Sequence, residues 1–205
     1  MKLLLASSNP GKLREYRELA GDSHMDLAEL PNFREITEFV ESAPTFAENA
    51  AGKAQYYSRF AGETVLADDS GLVVPSLGGA PGVHSARYAG PNATDRERID
   101  KLLRAMKGKK GDERRGLFIC VTAVAKQGRV IAVTSNFAQG VLTEEPRGTN
   151  GFGYDPIFLF PKLGRTYAEL TNLEKNQYSH RGKAFRSMLG ALAADSCHFS
   201  LPGSV

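Results

Sequence analysis

The sequence predicts an α/β domain, a mixed β-sheet with flanking helices, and three observations predict it. Short apolar runs of strand length alternate with segments whose apolar residues recur at helical spacing. Several helical segments open on capping residues: Asn9 before Pro10, Thr45 with Glu48, and Thr94 with Glu97. The runs 117–125 and 130–136 flank a Gln127-Gly128 turn, which makes them a hairpin and part of the sheet antiparallel. With 205 residues and no repeat, linker or low-complexity segment, positions 1–205 read as one domain with a substantial core.

Leu3-Leu4-Leu5-Ala6 is the first strand. It stops at Asn9, a good N-cap, followed by Pro10 at the first helical position. Leu13, Tyr16 and Ala20 then face inward, Lys12, Arg14, Glu15 and Arg17 outward, and Gly21 ends the helix. Residues 25–30 form a second strand and 31–44 an acidic loop. The Thr45–Glu48 capping box opens a helix over 46–60. Residues 63–68 are the next strand, with Val65-Leu66-Ala67 meeting a turn at Asp68-Asp69 before a second apolar run, Leu72-Val73-Val74. Thr94–Glu97 opens a helix with Ile99, Leu102, Leu103 and Met106 inward. After the hairpin come strands at 137–142 and 156–160. A last helix over 181–194, capped by Ser179, buries Ala184, Met188, Leu189 and Leu192.

A net charge of +3 suits an anionic small molecule and is too weak to argue for nucleic acid. No apolar stretch approaches the length of a membrane span, and the apolar run of the N-terminus is too short for a signal sequence, so a cytoplasmic protein is expected. Of the two cysteines, Cys120 and Cys197, the first lies in the apolar run 117–121 and reads as a buried free thiol.

Five segments carry chemistry. Asp68 and Asp69, among small residues at a strand end, are either a solvated turn or a way to hold a divalent cation beside a phosphate. Ser7-Ser8-Asn9-Pro10-Gly11-Lys12 offers backbone N–H groups at a helix start, two hydroxyls and a lysine, either as an anion cradle or as an ordinary capped start. Asn49 and Lys53, four apart, share a helix face that borders either solvent or the phosphate. In Gly151-Phe152-Gly153-Tyr154-Asp155, the glycines allow close approach, Phe152 offers a stacking face and Asp155 an acceptor, unless the aromatics simply join the core. Glu174-Lys175-Asn176 precedes Ser179-His180-Arg181, where cations at a helix start oppose its dipole and read as ligand contacts. An imidazole and a guanidinium fork suit the 6-oxo and N7 acceptors of a purine.

Together these segments resemble one family. Ser-x-Asn-x-Gly-Lys, Thr-Phe-x-Glu-Asn-Ala, Ala-Asp-Asp-Ser-Gly-Leu, Leu-Gly-Gly-Ala-Pro-Gly-Val-x-Ser-Ala-Arg-Tyr, Gly-Phe-Gly-Tyr-Asp-Pro-Ile-Phe and Glu-Lys-Asn-x-x-Ser-His-Arg-Gly-x-Ala follow in order across residues 3–192. That order is similar to the non-canonical purine NTP pyrophosphatases, the inosine triphosphatase or Ham1-like family in its bacterial dITP/XTP pyrophosphatase branch. The resemblance implies an elongated mixed sheet with two lobes around a central cleft, a homodimer, and Mg²⁺-dependent hydrolysis of ITP, dITP and XTP to the monophosphate and pyrophosphate. It also implies roles: Ser7, Ser8, Asn9, Pro10, Gly11 and Lys12 with Lys53 on the triphosphate, and Asp69 as metal-linked general base. Ser70 would contact substrate, Phe152, Gly153, Tyr154 and Asp155 the nucleoside, Lys175 the nucleotide, and His180 with Arg181 the base. Glu41 matches the second metal ligand, although Glu41-Ser42-Ala43-Pro44 departs from the usual Glu-Thr-Gly, which leaves Glu38 and Glu35 open. Asp68 rivals Asp69 as the base, since adjacent strand residues point to opposite faces. A Maf-like nucleotide pyrophosphatase and a nucleotide-binding module without turnover are the competing readings.

Overall fold

A computed structural model describes residues 2–198, with side chains through residue 194, so the side chain of Cys197 falls outside it. Strand β1 (Lys2–Leu5) runs parallel to both of its neighbours, β2 (Asp26–Glu29) and β3 (Thr64–Val73). A strand so placed is covered on both faces, which is why Leu3-Leu4-Leu5 is continuously apolar instead of alternating. Strands β4 (Arg115–Lys126), β5 (Arg129–Leu142), β6 (Phe158–Phe160) and β7 (Arg165–Thr166) extend the sheet antiparallel, in the order β2-β1-β3-β4-β5-β6-β7. The predicted mixed sheet with flanking helices is therefore present.

Helices α1 (Pro10–Asp22) and α5 (His180–His198) cover one face, where Tyr16, Leu19, Phe185 and Met188 pack on Leu3, Leu5, Leu66 and Val124. Helix α2 (Phe46–Tyr57) covers the other through Ala50, Ala54 and Tyr57 on Leu4, Val65, Ala67, Val121 and Ala123. Helix α3 (Asp95–Ala105) and the short α4 (Asn172–Tyr178) complete the set. A third cluster joins Ile99, Leu102 and Met106 to Leu72, Phe118, Phe158 and Tyr167. Side chains alternate along β3: Val65 and Ala67 face α2, whereas Leu66 faces α1 and α5.

Several expectations need correction, among them the strand over 156–160, which begins only at Phe158 after a 3₁₀ turn at Asp155–Ile157. Asp68 and Asp69 do not form a turn; β3 continues through them to Val73, because β4 pairs with it without interruption from Val65↔Ala125 to Val73↔Leu117. Gly71 is in that strand because nothing larger fits. A Cβ there would lie 2.5 Å from both Gly82 O and Ser85 Oγ of the segment that folds back onto β3. Gly71→Ala is accordingly expected to cost at least about 1–3 kcal/mol in urea unfolding, as for other overpacked sites. Residues 137–142 are the second half of β5, not a separate strand, since β4 is long enough to pair all of it. Helix α2 gives way at Ser58–Phe60 to a 3₁₀ turn, and α4, opened by a Thr171–Glu174 capping box, was not anticipated. Glu15, expected outside, is buried. The hairpin turn is as predicted, with Gln127 and Gly128 both left-handed at φ 50° and 77°, as a two-residue loop between twisted strands requires.

Candidate active site

The pairing of β1 with β3 ends at Leu5↔Leu66, and the chain then leaves β1 for α1. Beyond that point β1 no longer pairs with β3, and Asp68, Asp69 and Ser70 follow along β3 before Pro81 bridges back to Val73. A crevice at the carboxyl end of a parallel strand, facing a helix N-terminus, is a common ligand position in open α/β sheets.

The start of α1 lines it. Asn9 caps the helix, its Oδ1 accepting from Lys12 N at 3.1 Å, and Ser7 Oγ accepts from Asn9 N. Ser7 and Gly11 are buried, while Ser8 and Pro10 are exposed at the rim. A Cβ on Gly11 would collide with the ring of Phe152, so glycine here lets the 151–155 loop close over the helix start. Lys12 Nζ reaches Asp68 Oδ1 at 3.0 Å and the Asp68 carbonyl at 3.4 Å.

Behind this front lies a buried chain of alternating charges. Asp68 Oδ2 accepts from Arg181 Nε and Nη2, at 3.3 and 3.4 Å. Arg181 Nη1 donates to Glu15 Oε2 at 2.5 Å and Nη2 to Ser70 Oγ at 2.7 Å. Glu15 Oε1 meets Lys175 Nζ at 2.6 Å, and Lys175 also contacts Asp155, whose Oδ2 accepts from Phe152 N. The Phe152 ring lies against the Lys175 ammonium and the Arg181 guanidinium, at 4.9 and 5.5 Å. Of the five N–H donors of Arg181, four are committed to these protein acceptors.

Two of the expected residues turn into the protein. Tyr154 is buried and donates to the Ser85 carbonyl, and Gly153 N donates to Asp95 Oδ2, which together pin the loop. His180 stacks on Phe118 with centroids 4.7 Å apart, and its buried Nδ1 has no hydrogen-bond partner among the described residues. Burial, followed by the Arg181 charge, holds that imidazole well below its ordinary pKa.

The two central acids are separated by the pleat. Asp68 shares the α1/α5 face with Leu66, and Asp69 shares the α2 face with Ala67. Burial raises Asp68, but Lys12 and then Arg181 pull its pKa well below the carboxylate range. Asp69 accepts hydrogen bonds from Asn49 Nδ2 at 3.0 Å and Ser70 N at 2.9 Å and makes no ion pair among the described residues. Burial pushes Asp69 up to about 6; Lys12 pulls it down, while Glu41 and Asp68 push it further up. Glu41 stands near through Lys53, whose Nζ meets Glu41 Oε1 at 2.6 Å. Glu35 and Glu38 are exposed, and Glu35 lines a separate groove with Lys2, Tyr56 and Glu63.

Residues 3–191 match the model of the Ham1 family. The chain belongs to the Ham1 family. A relative from Geobacillus kaustophilus, named dITP/XTP pyrophosphatase, is 46% identical over 91% of this chain and 92% of its own. Another so named, from Thermus thermophilus, is 47% identical over 93% and 91%. The solved structure of a HAM1 protein from Coxiella burnetii superposes with a TM-score of 0.83 at 41% identity, covering 95% of this chain and 99% of its own.

In this Ham1-family chain, sequence reasoning missed Glu15 and gave Asn49 only a shared face with Lys53. Glu15 Oε1 and Oε2 serve cations more than 150 residues away, and no local pattern announces that. Burial raises Glu15, but Lys175 and then Arg181 bring it down to about 2 from 4.5. A depressed acid gives stability that is present above its unfolded value and lost as the pH falls through the folded one. Unfolding free energy should therefore drop between about pH 4.5 and 2, and urea titrations of Glu15→Gln should show a shallower drop over that window than the parent chain.

No group of three His, Cys, Asp or Glu side chains suited to a metal occurs among the described residues. Mg²⁺, however, is commonly held by one or two carboxylates together with phosphate oxygens and water. Glu41 raises the Asp69 carboxyl, and a divalent cation placed beside the two would relieve that repulsion.

Proposed function

We infer that this protein hydrolyses ITP, dITP and XTP to the monophosphate and pyrophosphate, with Mg²⁺ held by Asp69 and Glu41. The observation that carries the reading is the split between adjacent acids: Asp68 is neutralised by Lys12 and Arg181, while Asp69 has no ion pair among the described residues and is raised to about 6. Paired acids pushed apart in this way mark one for structure and the other for proton transfer. The relatives named dITP/XTP pyrophosphatase support the substrate class.

In this mechanism the triphosphate lies against the α1 N-terminus, with Ser7 to Lys12 meeting its oxygens and Lys53 adding a further cation. A divalent cation held by Asp69 and Glu41 would supply charge relief on the departing pyrophosphate. Asp69 orients the attacking water and takes its proton. Phe152 offers its ring to the base, and Lys175, held between Glu15 and Asp155, presents its charge beneath that ring. The remaining Nη1 N–H of Arg181 is the donor for a 6-oxo purine, with His180 behind it and Ser70, Gly153, Tyr154 and Asp155 fixing the pocket.

Positions 1–205 act as one pyrophosphatase domain, a reading supported by the single seven-stranded sheet. A homodimer fits the half-exposed apolar side chains Ile131, Val133 and Phe137 on β5. No helix among the described residues is long and apolar enough to cross a membrane. A cytoplasmic location suits the buried free thiol of Cys120.

Pyrophosphate release from ITP, dITP, XTP, GTP and ATP with Mg²⁺ tests the function. The first three should exceed ATP in kcat/KM by at least about 10²-fold. Equal rates across the set, or release of orthophosphate instead, would sink it.

A further inference from the structure

The segment between β2 and α2 has no regular structure over residues 38–45, yet it carries Glu41. It is tied to α2 through side chains: Phe39 N donates to Tyr57 Oη, Tyr56 Oη to the Thr37 carbonyl, and Lys53 Nζ to Glu41. Arg87 Nη2 adds a bond to the Glu41 carbonyl at 3.1 Å. Asn49 does something different from all of these. It is 1% exposed, and its Nδ2 donates to Asp69 Oδ2 at 3.0 Å and to the Ala43 carbonyl at 3.3 Å, while its Oδ1 accepts from Ala43 N at 3.0 Å. One amide thus spans the strand that bears Asp69 and the loop that bears Glu41.

The chemistry of the contacts fixes which end of the amide faces which partner. The Ala43 N–H can only donate, so the amide oxygen must face it. An ionised Asp69 only accepts, so the amide nitrogen must face the carboxylate. An aspartate in place of Asn49 would set a second carboxylate against Asp69, and a longer or shorter side chain would break one of the three bonds.

We propose that Asn49 is the positioning residue of the metal-binding pair, its side-chain amide holding Asp69 and the Glu41 loop in the mutual placement that one divalent cation needs. This rests on the reading of Asp69 and Glu41 as metal ligands. Groups that orient a ligand without touching the metal commonly contribute about 10–100-fold to metal affinity. The amide touches neither nucleotide nor metal in this scheme and acts through the two acids.

The test uses the full chain with Asn49→Ala and, because a buried amide is being removed, Asn49→Ser as the variant more tolerant of folding. Mn²⁺ binding is read by electron paramagnetic resonance on the protein without nucleotide, and ITP turnover by a Mg²⁺ titration. Mn²⁺ affinity should fall about 10–100-fold in either variant. The Mg²⁺ concentration for half-maximal turnover should rise in parallel, with turnover recovering at high Mg²⁺ and the KM for ITP at that Mg²⁺ little changed. Recovery by metal is the readout that a merely structural role would not give. If Mn²⁺ affinity in a folded variant stays within about threefold of the parent, the proposal is overturned. Asp69→Asn, run alongside, separates the role of Asn49 from that of the acids it holds. Loss of Mn²⁺ binding in Asp69→Asn but not in the Asn49 variants removes only the role of Asn49. Full Mn²⁺ binding in Asp69→Asn removes the metal reading beneath it.

Discussion

Asp69→Asn is expected to lower ITP turnover by about 10²–10⁴-fold while leaving the unfolding midpoint unchanged or raised. The two halves of that expectation have one cause. Asp69 sits in the sheet with no ion pair among the described residues, and burial raises its carboxyl to about 6 from 3.8. For an acid raised in this way, stability is present below its unfolded pKa and is lost as the pH rises through the folded one, so between about pH 4 and 6 the native state gives up free energy to ionise it. The amide removes that cost at pH 7 along with the basicity that takes a proton from water. One hydrogen bond, from Asn49 or from Ser70 N, becomes mismatched and offsets part of the gain. Turnover and thermal unfolding of the purified variant check both halves. Near-normal turnover would move the base to Asp68, although Asp68 is committed to Lys12 and Arg181 and is a poor proton acceptor in that state.

Arg181→Ala should give the largest loss of stability of any single truncation at the site, about 3–5 kcal/mol. The guanidinium is fully buried between Glu15 and Asp68, and its removal leaves Glu15 to Lys175 alone and Asp68 to Lys12 alone, each carboxylate buried with one oxygen stripped of its charged donor. Replacing a paired buried charge with nothing is far costlier than exchanging the whole network for apolar groups, because the partners remain ionised and unsolvated. Arg181→Lys keeps the charge but not the fork, and should fall between the parent and the alanine variant. That variant, folded at pH 7, is the one in which to compare ITP with ATP. A 6-oxo purine accepts from the arginine, while adenine presents a donor to it, so the ITP-to-ATP ratio should narrow. Urea unfolding within about 1 kcal/mol of the parent for Arg181→Ala would remove the ion-pair chain as a source of stability. An unchanged ratio in Arg181→Lys would make Arg181 a scaffold for Lys175 and Asp68 and take it away from the base.

Local physics made much of this legible in the amino-acid order. The Thr94–Glu97 box and the Asn9 and Thr45 caps open helices where they were expected, because a cap is satisfied within three residues of itself. The Gln127-Gly128 turn pairs strands that are neighbours in sequence. The opposite facing of Asp68 and Asp69 follows from the two-residue period of a strand alone. The order of six motifs was enough to point to the family, which the match over residues 3–191 bears out.

What the sequence could not determine was anything set by a partner far along the chain. Asp-Asp-Ser-Gly reads locally as a turn, and it becomes a strand only because β4, some 50 residues later, supplies a full ladder of hydrogen bonds. Glu15 reads as a solvated helix residue, and it is buried only because Lys175 and Arg181 arrive from more than 150 residues away to neutralise it. The same holds for the two acids: their alternation is written in the strand, but which is held ionised and which is raised depends on α1 and α5 bringing cations to one face and α2 an amide to the other. Side-chain direction is a property of the backbone within a few residues and can be read from sequence, whereas the charge state of a buried group depends on the field of whatever is folded against it, and only the tertiary structure decides that.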